Sequence, residues 1–463
     1  MNTIIQQFQE NIMSEVKKEV EKVFLQGESD ISQLIHTVDK NLKDLGRDII
    51  KYVLEESDTV IKDSLERKID WVVHKKDAKK SLITEFGQVD YKRTYYKSKS
   101  SKGYTYLVDD QFGIERYQRI DKGLSAKIVE LSREHSYQKS ADLAVKSVKL
   151  SRQTVKNKIR ELGEIDNKDI NKNEKKKSIK RLYVEADEDH IALQNGKNTI
   201  VKLVYIQEGK KITNNRTKLK NTHYFSGLYK DTEELWLEVI DYINDNYELD
   251  EIETIYLAGD GATWIMEGLN WLPKSRYVLD RYHLNKYVIQ ATGHMPDMRP
   301  ELWHGINECD FDYVKKVFQE IMSYTEKDTK KEAIKESYKY ILSHWGGIEI
   351  YSKDPYVLGC SAEGHVSHVL SNRMSSRPMG WSKKGADQMA RLRAFKYNGG
   401  TRKKLYQILN RKKEIQKLNI KTQKILERSK GKKPLYPEAK ETMPALQRGK
   451  VDGIFSAIKS LAF

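Results

Sequence analysis

Over the first 75 residues, apolar positions fall three and four apart (Ile5, Phe8, Ile12, Val16, then Leu34, Val38, Leu42, Leu45, Ile49, Val53), with Lys and Glu between them. That period predicts two or three amphipathic helices. Between Ile83 and Val108 it shortens to two, with Val89, Tyr91 and Tyr95 on one face and Tyr104, Tyr106 and Val108 after a Ser-Lys-Gly turn. A β-hairpin or small sheet is expected there. Helix returns over 122–163 in three short pieces, LSAKIVELSRE, SYQKSADLAVKSV and SRQTVKNKIRELG, which is the cadence of a helix-turn-helix. In the third piece Ser151 is placed to cap, and Val155, Ile159 and Leu162 form the core stripe. Arg152, Gln153, Lys156, Asn157 and Arg160 are left outside, suited to phosphates and base edges. A helical bundle with a solvated basic face would show the same pattern.

The stretch Ile165–Lys180 is polar, charged and without period, so it reads as a linker. From Arg181 the order is three strands (RLYVEAD with HIALQ, TIVKLVYIQ, HYFSGLY), a helix (TEELWLEVIDYINDNY), a strand (TIYLAGD), a helix (TWIMEGLNWL), a strand (SRYVLD) and a helix (RYHLNKYVIQ). This predicts an α/β domain with a mixed sheet and helices packed on it. An all-helical stretch follows (Val314, Val317, Phe318, Ile321; Ile334, Tyr338, Ile341, Trp345) and reads as an insertion before the CSAEGHVSHVLSNRM helix. The expected division is 1–78 helical, 79–118 β, 119–164 helix-turn-helix, 165–180 linker, 181–395 α/β with the insertion at about 293–355, and 396–463 basic and helical.

Charge narrows the class of partner. Of 463 residues 83 are Lys or Arg and 67 Asp or Glu, a formal charge of +16 with pI near 9.3, which favours polyanions and nucleic acid first. Mean hydropathy is −0.73 and no charge-free run is long enough for a membrane span or signal segment. A cytoplasmic, nucleoid-associated protein is expected. Cys309 and Cys360 stand far apart with no CxxC pair, which excludes a disulfide framework and Cys-rich zinc modules.

Three acids occupy positions that strand ends and helix starts would gather at one edge of the sheet: Asp187 in LYVEADEDH, Asp260 in IYLAGDGATW and Glu363 in CSAEGHVSH. Asp189 lies on the same strand face as Asp187 and is its rival. Oxygen-only donors favour Mg²⁺ or Mn²⁺, and two such ions roughly 3.5–4 Å apart would serve an in-line phosphoryl displacement. Asp280 and His283, spaced D-x-x-H directly after a strand, would share a helix face toward the cluster. His365, His368, Asn372, Arg373 and Arg377 follow Glu363, with Arg373 and Arg377 candidates for DNA contact. Zinc at His365 and His368 lacks further ligands. Walker, GxSxG and HExxH motifs are absent.

The order EADEDH, LAGDGATWI, LDRYH and CSAEGHVSHVLSNRMSSRPMGWS resembles the DDE transposases of bacterial insertion sequences, most closely the ISLre-type group, long catalogued as an uncharacterised protein family and distantly Mutator-like. The resemblance covers most of the chain. It implies an RNase H-like catalytic fold with a helical insertion before the final Glu, a divalent metal cofactor, and cleavage and joining of double-stranded DNA at transposon ends and target. Matched by motif, the catalytic acids fall on Asp187, Asp260 and Glu363, and the C/D-x-x-H signature on Asp280 and His283. A homo-oligomer, dimer or larger, with no membrane partner, is implied as well. A structure-specific nuclease without joining activity and a non-catalytic DNA-binding protein are the alternatives.

Overall fold

A computed structural model describes residues 10, 12–22, 31–163, 165, 170, 173–213 and 216–410. The expected basic helical region therefore lies outside the described residues from 411 onward. Helix α1 (Ile31–Asp63) is a single 33-residue element, and α2 (Leu65–Asp70), capped by Ser64, runs directly into β1 (Trp71–Thr84). Strand thus begins eight residues before the expected boundary at 79. The segment HKKDAKK hides it, because Lys75, Lys76 and Lys79 are exposed and Asp77 sits in an irregular, left-handed position (φ 55°).

β2 (Gly87–Ser98) returns antiparallel to β1 through a tight turn at Glu85 and Phe86. The Ser-Lys-Gly turn instead leads to the short β3 (Tyr104–Thr105), and Val108 belongs to helix α3 (Leu107–Gln111). Helix α1 covers the hairpin with Leu54 and Ile50 against Leu82, Val89 and Tyr91, and Asp58 accepts from the Thr94 amide and hydroxyl at 3.0 and 2.6 Å.

Three short helices follow as expected: α4 (Lys122–Ser132), α5 (Tyr137–Ala144) and α6 (Arg152–Leu162), with the Ser151 hydroxyl accepting from the Thr154 amide at 3.2 Å. Val155, Ile159 and Leu162 are fully buried. The linker reading does not hold for the residues described there. Ile165 and Ile170 join the core, Lys177 bridges to Tyr247, and Asn173 hydrogen-bonds Asn246.

The α/β region is built on β4 (Arg181–Ala192), β5 (Asn198–Gln207), β8 (His223–Gly227), β9 (Thr254–Gly259) and β10 (Ser275–Leu279); β6 (Lys210–Thr213) and β7 (Arg216–Leu219) form a separate small hairpin. The sheet order is β10-β9-β4-β5-β8, with β4, β5 and β8 antiparallel in turn and β9 and β10 parallel to β4. It is therefore a mixed five-stranded sheet. Leu182, Val184 and Ala186 of β4 pack with Val204, Phe225 and Leu257 against Leu235, Trp236, Val239 and Ile243 of α7 (Thr232–Asn246).

Helix α8 (Thr263–Met266) continues as a 3-10 turn over Glu267–Asn270, in which a side chain at Gly268 would collide with the Trp236 ring. After α9 (Arg281–Thr292), the expected insertion is four helices, α10 (Met298–Asn307), α11 (Phe311–Ser323), α12 (Asp328–Ser343) and α13 (Trp345–Lys353), around Val314, Phe318, Ile321, Ile334 and Ile341.

The other sheet face meets α14 (Ala362–Val366), the π-helical turn Ser367–Ser371, α15 (Asn372–Met374) and α16 (Lys383–Tyr397). One core joins Leu203, Tyr205 and Tyr224 to Val369, Met389 and Phe395 and to Leu124, Ile128 and Ile159 of the three-helix unit. Contacts gather the chain as far as Leu409 into one compact unit, so the three-helix unit is packed onto the sheet and not tethered to it.

Candidate active site

Alternation along β4 sends Ala186 into the core beneath α7 and turns Glu185 and Asp187 to the opposite face. The parallel register pairs Glu185 with Ala258, and the strand β9 ends one residue later at Gly259. A side chain at Gly259 would collide with the Ala186 carbonyl, only 2.9 Å from its Cβ position. Carried two residues past the Glu185–Ala258 pair, the register sets Asp260 beside Asp187. Next to it, β10 ends opposite Gly259 at Leu279, and the Asp280 amide donates to the Gly259 carbonyl at 2.9 Å. The carboxyl ends of β9 and β10 thus lie beside the middle of β4, which runs on to Ala192, and the ends of parallel strands are the usual place for a site in an α/β sheet.

Each acid is held locally. Asp260 accepts from the Ala262 amide at 2.9 Å, and its carbonyl accepts from the Tyr340 hydroxyl at 2.5 Å, so helix α12 of the insertion braces the turn. Gly261 follows at φ +89°, a left-handed position that a side chain would strain, and its Cβ would strike His344. Asp280 caps α9 through the Tyr282 amide and holds His283 Nδ1 at 2.8 Å. That hydrogen bond raises the His283 pKa, with the Asp187 and Asp260 charges adding to it.

Asp187 is 7% exposed; one oxygen accepts from the Glu188 amide at 2.8 Å and Oδ2 is buried without a hydrogen-bond partner. Burial pushes its carboxyl up to about 7, the facing Glu363 and Asp260 charges push the same way, and the Glu188 amide and His283 oppose them. Asp187 is therefore within electrostatic reach of Asp260, Glu363 and His283, and His283 of Asp260 as well. Asp189 is not part of this group. Its carboxylate accepts from the Ser375 hydroxyl at 2.8 Å and its other near partners are Ser371 and His190. Among the described residues no three His, Cys, Asp or Glu side chains close into a metal shell.

Glu363 is exposed at the start of α14. The helix is anchored by a residue that the motif reading passed over. Glu185, 1% exposed, accepts from the Tyr205 hydroxyl (2.5 Å), the Ser361 amide (2.5 Å) and hydroxyl (3.1 Å), and the Gln207 amide (3.0 Å). His365 stacks on Tyr205 and shares a 2.8 Å hydrogen bond with the Tyr224 hydroxyl. A carboxylate between Val184 and Ala186 in a central strand was the available signal, since a buried charge needs partners.

On α6, Arg152, Gln153, Asn157 and Arg160 are exposed and Lys156 half-buried, with Gln153 donating to Asn157 at 2.8 Å. Arg377 is exposed. Arg373 corrects the expectation of a DNA contact. It is 6% exposed, donates to the Ser132 carbonyl at 3.0 Å and lies over the Tyr137 and Trp381 rings. Its place in α15, buried against the three-helix unit, gives it a packing role.

A family model described as Uncharacterised protein family (UPF0236) matches residues 25–413. A UPF0236 protein of Caldanaerobacter subterraneus subsp. tengcongensis is 46% identical over 435 residues, covering 94% of this chain and 93% of that protein. Another from the same organism, 45% identical over 435 residues (94% and 92%), carries eleven locus designations in its name. A UPF0236 protein of Streptococcus gallolyticus, named for the vanSb 3′ region, is 28% identical over 328 residues, 68% of this chain and 72% of that protein. The chain belongs to the UPF0236 family.

Proposed function

We propose that this protein is a DNA transposase that binds the ends of its own mobile element and cuts and joins DNA at the acidic edge of the sheet. One observation carries the reading. Asp260 and Glu363, from separate segments, both bring their charge to bear on Asp187, which keeps a buried oxygen with no partner. The mixed sheet order and the helical insertion before Glu363 support an RNase H-like reading of the domain. The three-helix unit with its capped basic third helix supports a helix-turn-helix. A relative recorded at eleven loci of one genome fits an element that copies itself.

The donor set suits a hard divalent cation: all oxygen, mutually repelling without a counter-charge, and with Asp187 Oδ2 left unpaired. Asp187, Asp260 and Glu363 would hold Mg²⁺ or Mn²⁺. When bound, such ions supply the charge that activates the attacking oxygen and stabilises the leaving one at phosphorus. The chain's own part is to hold the acids in place. Asp280 fixes the His283 ring through Nδ1 and favours its charged form, leaving the other ring nitrogen to donate to a phosphate oxygen. Arg152, Lys156 and Arg160 neutralise backbone phosphates and set the register of the duplex.

The test uses DNA carrying the sequences that flank the gene, with Mg²⁺ or Mn²⁺. Asp260→Asn and Glu363→Gln should each abolish end cleavage and strand transfer while duplex binding stays within about twofold. Strand transfer surviving in either variant refutes the assignment. Cleavage without joined products would instead identify a nuclease, and binding indifferent to metal with no cleavage a regulator.

A further inference from the structure

The open end of the N-terminal hairpin carries a group of residues that the acidic site does not use. β2 lies between β1 and β3 so that Lys97 faces Val72 on one side and Tyr104 on the other. Tyr95 stacks on Tyr104 with ring centres 5.5 Å apart, meets Tyr106 at 4.6 Å, and His74 stands edge-on to Tyr95 and Tyr104 at 5.8 and 5.1 Å. Arg116 donates to the Tyr95 hydroxyl at 3.2 Å and reaches over the Tyr117 ring at 5.4 Å.

Among the described residues the rings of Tyr104 and Tyr117 remain 40% and 83% exposed. Lys75, Lys76, Lys97 and Lys102 are exposed along the same three strands and their connections. Over 71–119 there are eleven Lys and Arg against six Asp and Glu.

Exposed rings clustered together mark a surface that something covers, and the lysines make that partner an anion. The partner must also offer flat apolar faces. A duplex hides its base faces within the stack, and an acidic peptide would satisfy the lysines but not the rings. A strand with unpaired bases supplies both, because stacking on aromatic side chains is open to any base.

We propose that this face binds single-stranded DNA, with unpaired bases stacking on Tyr104 and Tyr117 and phosphates meeting Lys75, Lys76, Lys97 and Lys102. The choice of DNA over RNA rests on the function proposed above; the stacking surface itself does not.

The test is fluorescence anisotropy on the full chain with a labelled oligo-dT, a duplex of equal length and an oligo-U. Removing one stacked base costs roughly tenfold in affinity. Tyr104→Ala with Tyr117→Ala should therefore weaken oligo-dT binding tenfold or more and leave the duplex within twofold, and Lys156→Glu on α6 should show the opposite pattern. Tyr117→Ala alone, at a position too exposed to disturb folding, should weaken oligo-dT several-fold. Asp260→Asn should bind oligo-dT normally even though cleavage is lost, so a failed catalytic reading and a failed binding face give different results.

Oligo-dT affinity within twofold of the parent in both tyrosine variants overturns the proposal, as does an equal loss on the duplex. A tyrosine-dependent preference for oligo-U overturns the choice of DNA. A dimer in solution that the tyrosine variants dissociate would make the face an interface between copies of this chain, against the proposal.

Discussion

The backbone amide of Ser361 donates to Glu185 at 2.5 Å across 176 positions of sequence. Glu185 stands two residues before Asp187 on one strand face, and Ser361 two residues before Glu363. One buried carboxylate thus ties the strand of the first acid to the helix of the third. Glu185→Leu leaves the Ser361 amide and the Gln207 amide without an acceptor, at about 1–3 kcal/mol for each group that stays buried, while the Tyr205 hydroxyl keeps the Ser361 hydroxyl at 2.9 Å. Glu185→Gln keeps an acceptor for Tyr205 and Ser361 and sets its own amide against that of Gln207, whose carbonyl is already held by the Gly209 amide. Hydrogen exchange over 361–371 should accelerate strongly in the Leu variant and slightly in the Gln variant. The rate of strand transfer should fall in the same order with duplex affinity unchanged. Equal exchange in all three proteins would separate Glu185 from Glu363.

Asp187 is expected to be costly to the fold and indispensable to the chemistry. Its carboxylate is buried, one oxygen is unpaired, and two other acids face it. Replacing it by Asn removes a buried charge that Asp260 and Glu363 repel, so with metal chelated at pH 8 the variant should melt several degrees higher, a gain of about 1–3 kcal/mol. Strand transfer should vanish in the same protein. A variant that melts lower would mean that the charge already has a stabilising partner.

Arg373 and Arg377 lie four residues apart and should behave differently. Arg373→Met loses the Ser132 carbonyl and leaves it buried next to an apolar chain, which should lower stability by about 2–4 kcal/mol. Arg377→Ala should leave the melting temperature within a degree and flatten the salt dependence of duplex binding by about one phosphate contact. Titrating affinity against salt for both variants separates the two roles.

These contrasts mark what the sequence could and could not reveal. Period and capping were legible: Ser151, Val155, Ile159 and Leu162 behave as their spacing predicts, and the five strands of the main sheet fall where alternation and length put them, while the short β6–β7 hairpin was not foreseen. Asp260 and Asp280 come together because parallel β9 and β10 end level with each other, and the β4–β9 register sets Asp187 beside them from mid-strand. Asp187 and Asp189 could not be separated by a period of two, and the hydroxyls of Ser375 and Ser371, brought in from a segment distant in sequence, draw Asp189 away. Arg373 misled because a basic residue after an acidic motif looks solvent-facing until the three-helix unit is packed onto it. Lysine-rich β1 misled for the converse reason, since a strand exposed on one side tolerates polar residues that erase the apolar signal.

The hairpin offers a test in which protonation and stability are linked. Lys80 is buried on β1, donating to the carbonyls of Glu115 at 2.7 Å and Arg116 at 3.2 Å, with the Asp109 carboxylate 3.5 Å away. Burial lowers its pKa to about 8 and the nearby Arg93 charge pushes it the same way. In the unfolded chain the amine keeps its ordinary value of 10.5. Below pH 8 both states carry the proton and the fold bears the full cost of burying it. Between about 8 and 10.5 the folded protein releases the proton while the unfolded chain retains it, so this residue's contribution becomes more favourable as pH rises. Lys80→Met has no proton to lose. Urea unfolding of the two proteins should therefore show the parent gaining on the variant from pH 7 to pH 10, by about 2–3 kcal/mol at most. A difference that stays flat across that range would mean that Asp109 holds the ammonium charged throughout.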